Sequence, residues 1–209
     1  MTSDNPPCAG DPLVATWARP GQGQTWSIHD DCTWSMVQRE SEDTGTWSRS
    51  GAKVTFTPDA SSHLPTTTVI PDRAGDRLAT PVEFGPGPVS GPQLLSSTEI
   101  YAKLSGGDGL ADTVWGADTR IPDQGGSCSY FEETVRLMLQ VDGTATHTFQ
   151  GTCQPANMPY TESMSGTWTA VENGAALVFQ ITTPSNEEGR QTWVRFSGGF
   201  AIDYFVRVP

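Results

Sequence analysis

Three histidines, His29, His63 and His147, are the only imidazoles in this 209-residue chain, and they stand far apart in the sequence. The run His29-Asp30-Asp31-Cys32 places four metal-capable side chains in a row. Neighbouring residues of a strand point to opposite faces, so such a run cannot close on one ion, and no metal site is expected. Gly106-Gly-Asp-Gly-Leu-Ala-Asp112 approximates a calcium-binding glycine–aspartate repeat, but its second Asp falls one place late and the motif occurs once, so it reads as a polar linker. The acidic pairs Glu132-Glu133 and Glu187-Glu188 read as solvated faces and turns. No nucleophile elbow, His-Glu-x-x-His helix or phosphate-cradling Gly-Lys-Ser/Thr is present, so neither a catalytic constellation nor a cofactor is expected. Tryptophan is the remaining chemistry-bearing type, at positions 17, 26, 34, 47, 115, 168 and 193. Trp47 and Trp168 read as core. Trp26 and Trp34, flanked by Thr and Ser, are the candidates for lining a ligand cup or a sugar-stacking platform.

Charge narrows the partners. Twelve basic residues against 24 acidic ones give a formal charge of −12, which repels nucleic acid and anionic membranes over a Debye length of about 8 Å. Charged residues make up only 17% of the chain while Gly (22) and Pro (16) are plentiful, a balance that suits turn-rich β structure and not a helical bundle. No apolar run reaches membrane-spanning length. Residues 1–12 have no basic or apolar leader character and are expected to be the polar stub left after a leader is removed, with Met1 added in its place. A tether to the outer surface through that removed segment is a corollary of this expectation.

The elements that must position any site come in two copies. Gly45-Thr46-Trp47 recurs as Gly166-Thr167-Trp168, and Cys32 precedes the first copy by the same 13 residues as Cys153 precedes the second. Cys8 to Cys32 spans 24 residues and Cys128 to Cys153 spans 25. Each half ends with an aromatic residue two places before a basic one: Tyr101 and Lys103, then Phe205 and Arg207. The repeat implies one unit over 13–104, a linker over 105–109 and a second unit over 110–209. A competing register aligns Leu13–Trp17 with Leu110–Trp115 and Asp30-Asp31 with Asp142-Gly143, and the sequence leaves both open. Four cysteines allow three pairings. The repeat selects Cys8–Cys32 and Cys128–Cys153, which implies an oxidising compartment. In the second pair, a strand from Ser129 to Val141 meets an Asp142-Gly143 signal of the two-residue type I′ turn, and Thr144–Thr152 returns.

Alternating β-branched and aromatic runs predict about ten to fourteen strands. In the strand ending at Val141, Val135, Leu137, Leu139 and Val141 face one way; Arg136, Met138 and Gln140 face the other. Residues 84–92 and 59–77 read as loops. Sequential hairpins in a closed barrel leave no exposed edges, so the fold is expected to be all-β, as two tandem antiparallel barrel units or as two half-units closing one larger barrel.

Leu13 with Trp17, less well Leu110 with Trp115, Asp142-Gly143-Thr144 with Asp30-Asp31-Cys32 as a degenerate copy, the Gly-Thr-Trp repeats and the closing aromatic–basic pairs together resemble the compact lipocalin-like domains of bacterial secreted proteins, within the calycin group of barrels. The resemblance implies a cup for a small, mostly apolar ligand. It also implies that Lys103 and Arg207 each cover a Trp of their own unit by a cation–π contact, with a structural role. The expectation is a secreted, periplasmic or surface-tethered binding protein, with the question of an enzyme left open. Its rivals are a protein- or glycan-interaction module with filled barrels, and a lipocalin-like cyclase without conventional catalytic residues.

Overall fold

The computed structural model describes residues 8–20, 23–38, 41–62, 64–81, 100–122, 130–154, 157–182, 188–202 and 204–209; of 119–122, 130, 131, 182 and 188 only the backbone path is described. His63, Cys128, Glu187 and the 84–92 loop lie outside these residues. The chain is all-β and divides into two compact units, each with its own antiparallel sheet and its own buried cluster. Two separate sheets exclude the single larger barrel.

The first unit is a half-barrel built from β1 (Ala15–Arg19), β2 (Gln24–Ile28), β3 (Thr33–Gln38), β4 (Ser41–Ser50), β5 (Lys53–Pro58), β6 (Thr67–Val69), β7 (Asp72–Ala74), β8 (Arg77–Ala79) and β17 (Phe205–Arg207). β6 and β7 are the sheet edges. The Ile70 amide, just past β6, donates to the Pro81 carbonyl at 3.1 Å. Strands β6 and β7 fall where the sequence reads as a loop. They are three residues each, too short for an alternation to show.

The second unit runs from β9 (Ala102–Ser105) through β10 (Thr113–Pro122), β11 (Tyr130–Leu139), β12 (Thr144–Gln154), β13 (Met158–Val171), β14 (Ala176–Thr182) and β15 (Glu188–Phe196) to β16 (Gly199–Ala201). These eight strands form one ladder, and mutual Tyr101–Phe200 backbone bonds of 2.7 and 3.1 Å join its two ends, so this barrel closes.

The repeated motifs have matching jobs in the two units. In the first, the Trp17 indole N–H donates to the Leu13 carbonyl at 2.9 Å. In the second, where one extra residue separates Leu110 from Trp115, the Trp115 indole donates to Thr113 Oγ1 at 2.8 Å, and that hydroxyl donates onward to the Leu110 carbonyl. The glycine of each Gly-Thr-Trp lies where two strands press together. A Cβ on Gly45 would run into the Thr57 carbonyl, and one on Gly166 into the Gln180 carbonyl. The following tryptophans then tie back to the preceding hairpin, Trp47 Nε1 to the His29 carbonyl at 3.0 Å and Trp168 Nε1 to the Gln140 carbonyl at 2.9 Å.

That hairpin decides the register. Asp31 Oδ1 accepts from the Thr33 amide (2.9 Å) and hydroxyl (2.6 Å), and Asp142 Oδ1 does the same with Thr144 at the same distances. These bonds hold both carboxyls below the usual aspartate range, with His29 adding to the effect at Asp31. Cys32 (φ 68°) and Gly143 (φ 82°) occupy the same left-handed position. The counterparts are thus Asp31-Cys32-Thr33 and Asp142-Gly143-Thr144, one residue from the alignment of Asp30-Asp31 with Asp142-Gly143. The turn is not type I′, which needs positive φ at both central residues. The Gly143 amide bonds the Gln140 carbonyl (3.1 Å) and only the last loop residue is left-handed, so a three-residue loop with a glycine bulge joins β11 to β12.

Cys8 and Cys32 form a disulfide that staples the segment before β1 to the β2–β3 turn. Cys153 is also disulfide-bonded, while its expected partner Cys128 lies outside the described residues. The two cysteine pairs are therefore not repeat equivalents: Cys32 sits at a hairpin turn, and Cys153 pairs with Phe131 at the far end of the β11–β12 ladder.

The chain-order boundary does not hold for the closing strands. β17, the last strand, pairs with β1 and β8 of the first unit, setting Arg207 opposite Trp17. β9, from the end of the first sequence repeat, pairs with β10 of the second unit, setting Lys103 opposite Trp115. The Lys103 ammonium lies 5.7 Å from the Trp115 ring centre, and the cation over Trp17, also at 5.7 Å, is Arg73. Lys103 thus covers a tryptophan of the other sequence half, while Arg207 stands opposite Trp17 in register and Arg73 takes the cation–π place expected of it, which corrects the expectation that each covers a Trp of its own unit. Tyr101-Ala-Lys103 and Phe205-Val-Arg207 carry the same aromatic–basic spacing, and each adds to the edge of a first strand.

Candidate functional site

Trp26 and Trp34, the residues expected to line a cup, are built into the core of the first unit. They are 0% and 1% exposed. Phe56 packs on the Trp26 ring at 4.5 Å and edge-on to Trp34 at 6.3 Å, and Phe205 covers Trp26 at 5.9 Å. Trp17, Trp26, Trp34 and Trp47 share this interior with nine other buried residues, among them Leu13, Ile28, Met36, Val54 and Phe56, and a molecule would have to displace side chains to touch the indole faces. Trp47 is buried in the first cluster and Trp168 is half-buried against the second. The His29–Cys32 run is an exposed turn with Asp31 bonded to Thr33 and Cys32 bridged to Cys8.

The second unit differs inside its barrel. The β11–β12–β13 register sets four successive rungs on the inward face: Leu139–Ala145–Gly166, Leu137–His147–Met164, Val135–Phe149–Glu162 and Glu133–Gly151–Tyr160. Pairing equivalence puts Met36 of the first unit where His147 stands here. A bulky Trp26 likewise corresponds to the smaller Leu137. The second interior is thus less crowded by indole and carries a titratable ring at its centre.

His147 is fully buried among aromatic rings. Phe149 lies 4.2 Å from it, Trp193 5.1 Å, Tyr101 5.7 Å and Phe179 6.5 Å. Its Nε2 shares a hydrogen bond of 3.3 Å with the Tyr101 hydroxyl, which arrives on the segment leading into β9. Its Nδ1 has no hydrogen-bond partner among the described residues. Burial away from water disfavours the imidazolium and pushes the pKa down to about 4, so the ring is neutral at pH 7. A buried, unpaired polar nitrogen costs about 1–3 kcal/mol.

The second polar group lies on β11, opposite Gly151 and so four residues along β12 from His147. Glu133 is 9% exposed, and its Oε1 accepts from the Tyr160 hydroxyl at 2.6 Å. Gly151, between them in the ladder, makes this contact possible, because a Cβ there would overlap the Tyr160 ring. Phe149, Gly151 and Tyr160 are half-buried, Glu162 is exposed and His147 is sealed.

Taken singly in the sequence, His147 reads as an isolated histidine and Glu133 as part of a solvated pair. The strand alternation carries the signal, since Glu133 shares parity with Val135, Leu137 and Leu139, and His147 with Ala145 and Phe149. No helix of the described residues is long and apolar enough to cross a membrane. No family model, curated protein or solved structure gives a significant match to this chain.

Proposed function

We propose that this chain is a lipocalin-like binding protein for a small, mostly apolar molecule, held inside the barrel of the second unit. The observation that carries this reading is the Nδ1 of His147, which like Trp26 Nε1 of the first unit has no hydrogen-bond partner among the described residues, but which lies among Phe149, Phe179, Trp193 and Tyr101 in the interior less crowded by indole. Buried polar atoms in folded proteins have partners almost without exception, and a bound molecule with one complementary group would supply this one. The surrounding rings would take its apolar body. The first unit, whose interior is filled by four tryptophans, serves in this reading as a scaffold or as a contact for another protein or a glycan. The Cys8–Cys32 disulfide supports work in an oxidising compartment, secreted, periplasmic or at the cell surface.

Native mass spectrometry of the protein purified from its own source, repeated after denaturation, tests the reading. A retained mass that is released on denaturation, and is lost from a His147→Met variant, is the expected result. A bare protein mass, with no molecule recovered from the denatured sample, would transfer the function to the interaction reading.

A further inference from the structure

We infer that the molecule bound by the second unit carries a basic nitrogen, received by the Glu133 carboxylate and the rings of Tyr160 and Phe149. This rests on the small-molecule reading above and goes further by fixing the charge of the ligand. Glu133 is more than nine-tenths buried, yet among the described residues it forms no ion pair, and the Tyr160 hydroxyl is its hydrogen-bond partner. A carboxylate offers about four acceptor sites, and one taken out of water calls for further donors or a cation. The contact is built into the strands. β12 gives up a side chain at Gly151 so that the Tyr160 ring can cross the ladder to Glu133.

The next rung adds Phe149, half-buried, and Glu162, exposed on the same strand face. A carboxylate flanked by aromatic rings is the pairing that recognises an ammonium group, through Coulomb attraction and through the ring quadrupoles. Among the described residues, no Lys or Arg stands on these four rungs of β11–β13, and the chain as a whole carries −12, which favours a cationic over an anionic head. Four residues of strand, roughly 13 Å, separate the Glu133 rung from the His147 rung. There His147 Nδ1 has no hydrogen-bond partner among the described residues and is open to a polar group of the ligand. The ligand so described is a cationic amphiphile: a basic nitrogen at Glu133, an apolar body past Val135 and Phe149, and a hydrogen-bonding group within reach of His147.

The test uses the full chain and three probes of equal length, decylamine, decanol and decanoate, titrated calorimetrically at pH 7.5. One decylamine is expected to bind per chain at least about tenfold more tightly than decanol, with decanoate weakest. Glu133→Gln keeps an oxygen for Tyr160 and removes the charge. It is expected to bring decylamine down about tenfold, to the level of decanol, without moving decanol. Glu132→Gln, on the exposed face of the same strand, controls for attraction to an acidic surface and should leave all three affinities unchanged. Decanoate or decanol binding as tightly as decylamine, or an unchanged decylamine affinity in Glu133→Gln, overturns the inference while leaving small-molecule binding intact. Absence of binding by all three, together with a bare mass from the native source, overturns both.

Discussion

Acid should destabilise the second unit through one residue. The His147 ring has a folded pKa of about 4, below the usual 6.5, because burial penalises its charged form. The unfolded chain therefore takes up a proton before the folded one does. The neutral ring's contribution is fully present above pH 6.5 and is lost as pH falls from there towards 4. Linkage from these two values gives a loss of about 2 kcal/mol at pH 5 and about 3 kcal/mol at pH 4 relative to neutral pH. Other groups titrate over the same range, so the measurement is a difference. Urea unfolding of the parent and of His147→Met is followed at pH 7, 5 and 4 by hydrogen exchange of amides in β11, β12 and β14. Methionine is the control residue because Met36 fills the equivalent place in the first unit. The parent should lose about 2 kcal/mol more than the variant between pH 7 and pH 5. Equal losses would refute the reasoning, and would mean that His147 meets a proton acceptor or water in solution.

Three further outcomes follow from the packing. Deleting residues 205–209 removes β17 from beside β1 and β8, so exchange protection should collapse in the first unit and persist in β10–β15, although the deletion is adjacent in sequence to the second. Gly166→Ala should cost about 1–3 kcal/mol, read from the unfolding midpoint of the second unit, because its Cβ would meet the Gln180 carbonyl. Replacing Cys8 and Cys32 by serine opens a link between residues 24 apart and should destabilise the first unit by about 3 kcal/mol in denaturant unfolding, with the second unit's midpoint unchanged.

The parts of this fold that were legible in the sequence are those where alternation and turn residues agree. The β11–β12 hairpin is one: Val135, Leu137 and Leu139 face inward as their period-two spacing requires, while Val141 of the same run is 75% exposed because it lies in the turn. Gly45 and Gly166 recur because only glycine fits the approach of the next strand's carbonyl. The Cys8–Cys32 link followed from the repeat, though the reason was indirect, since Cys32 holds the place of Gly143 and not that of Cys153. What escaped was long-range. Tyr101-Ala-Lys103 and Phe205-Val-Arg207 are near-equivalent, so nothing local says which first strand each will join. The site escaped for a related reason. Glu133, His147 and Tyr160 lie on three strands and converge only through register, and tryptophan abundance drew attention to the first unit, where Trp26 and Trp34 fill the interior.

The central claim is that a small molecule completes the hydrogen bonding of His147. The most direct measurement is the imidazole 15N spectrum of histidine-labelled protein isolated with its retained molecule, compared after that molecule has been stripped and the protein refolded. The account predicts that the Nδ1 resonance of His147 moves on stripping and returns on adding the extracted molecule, while His29, exposed in its turn, stays fixed. An Nδ1 resonance that is the same with and without the molecule would contradict it.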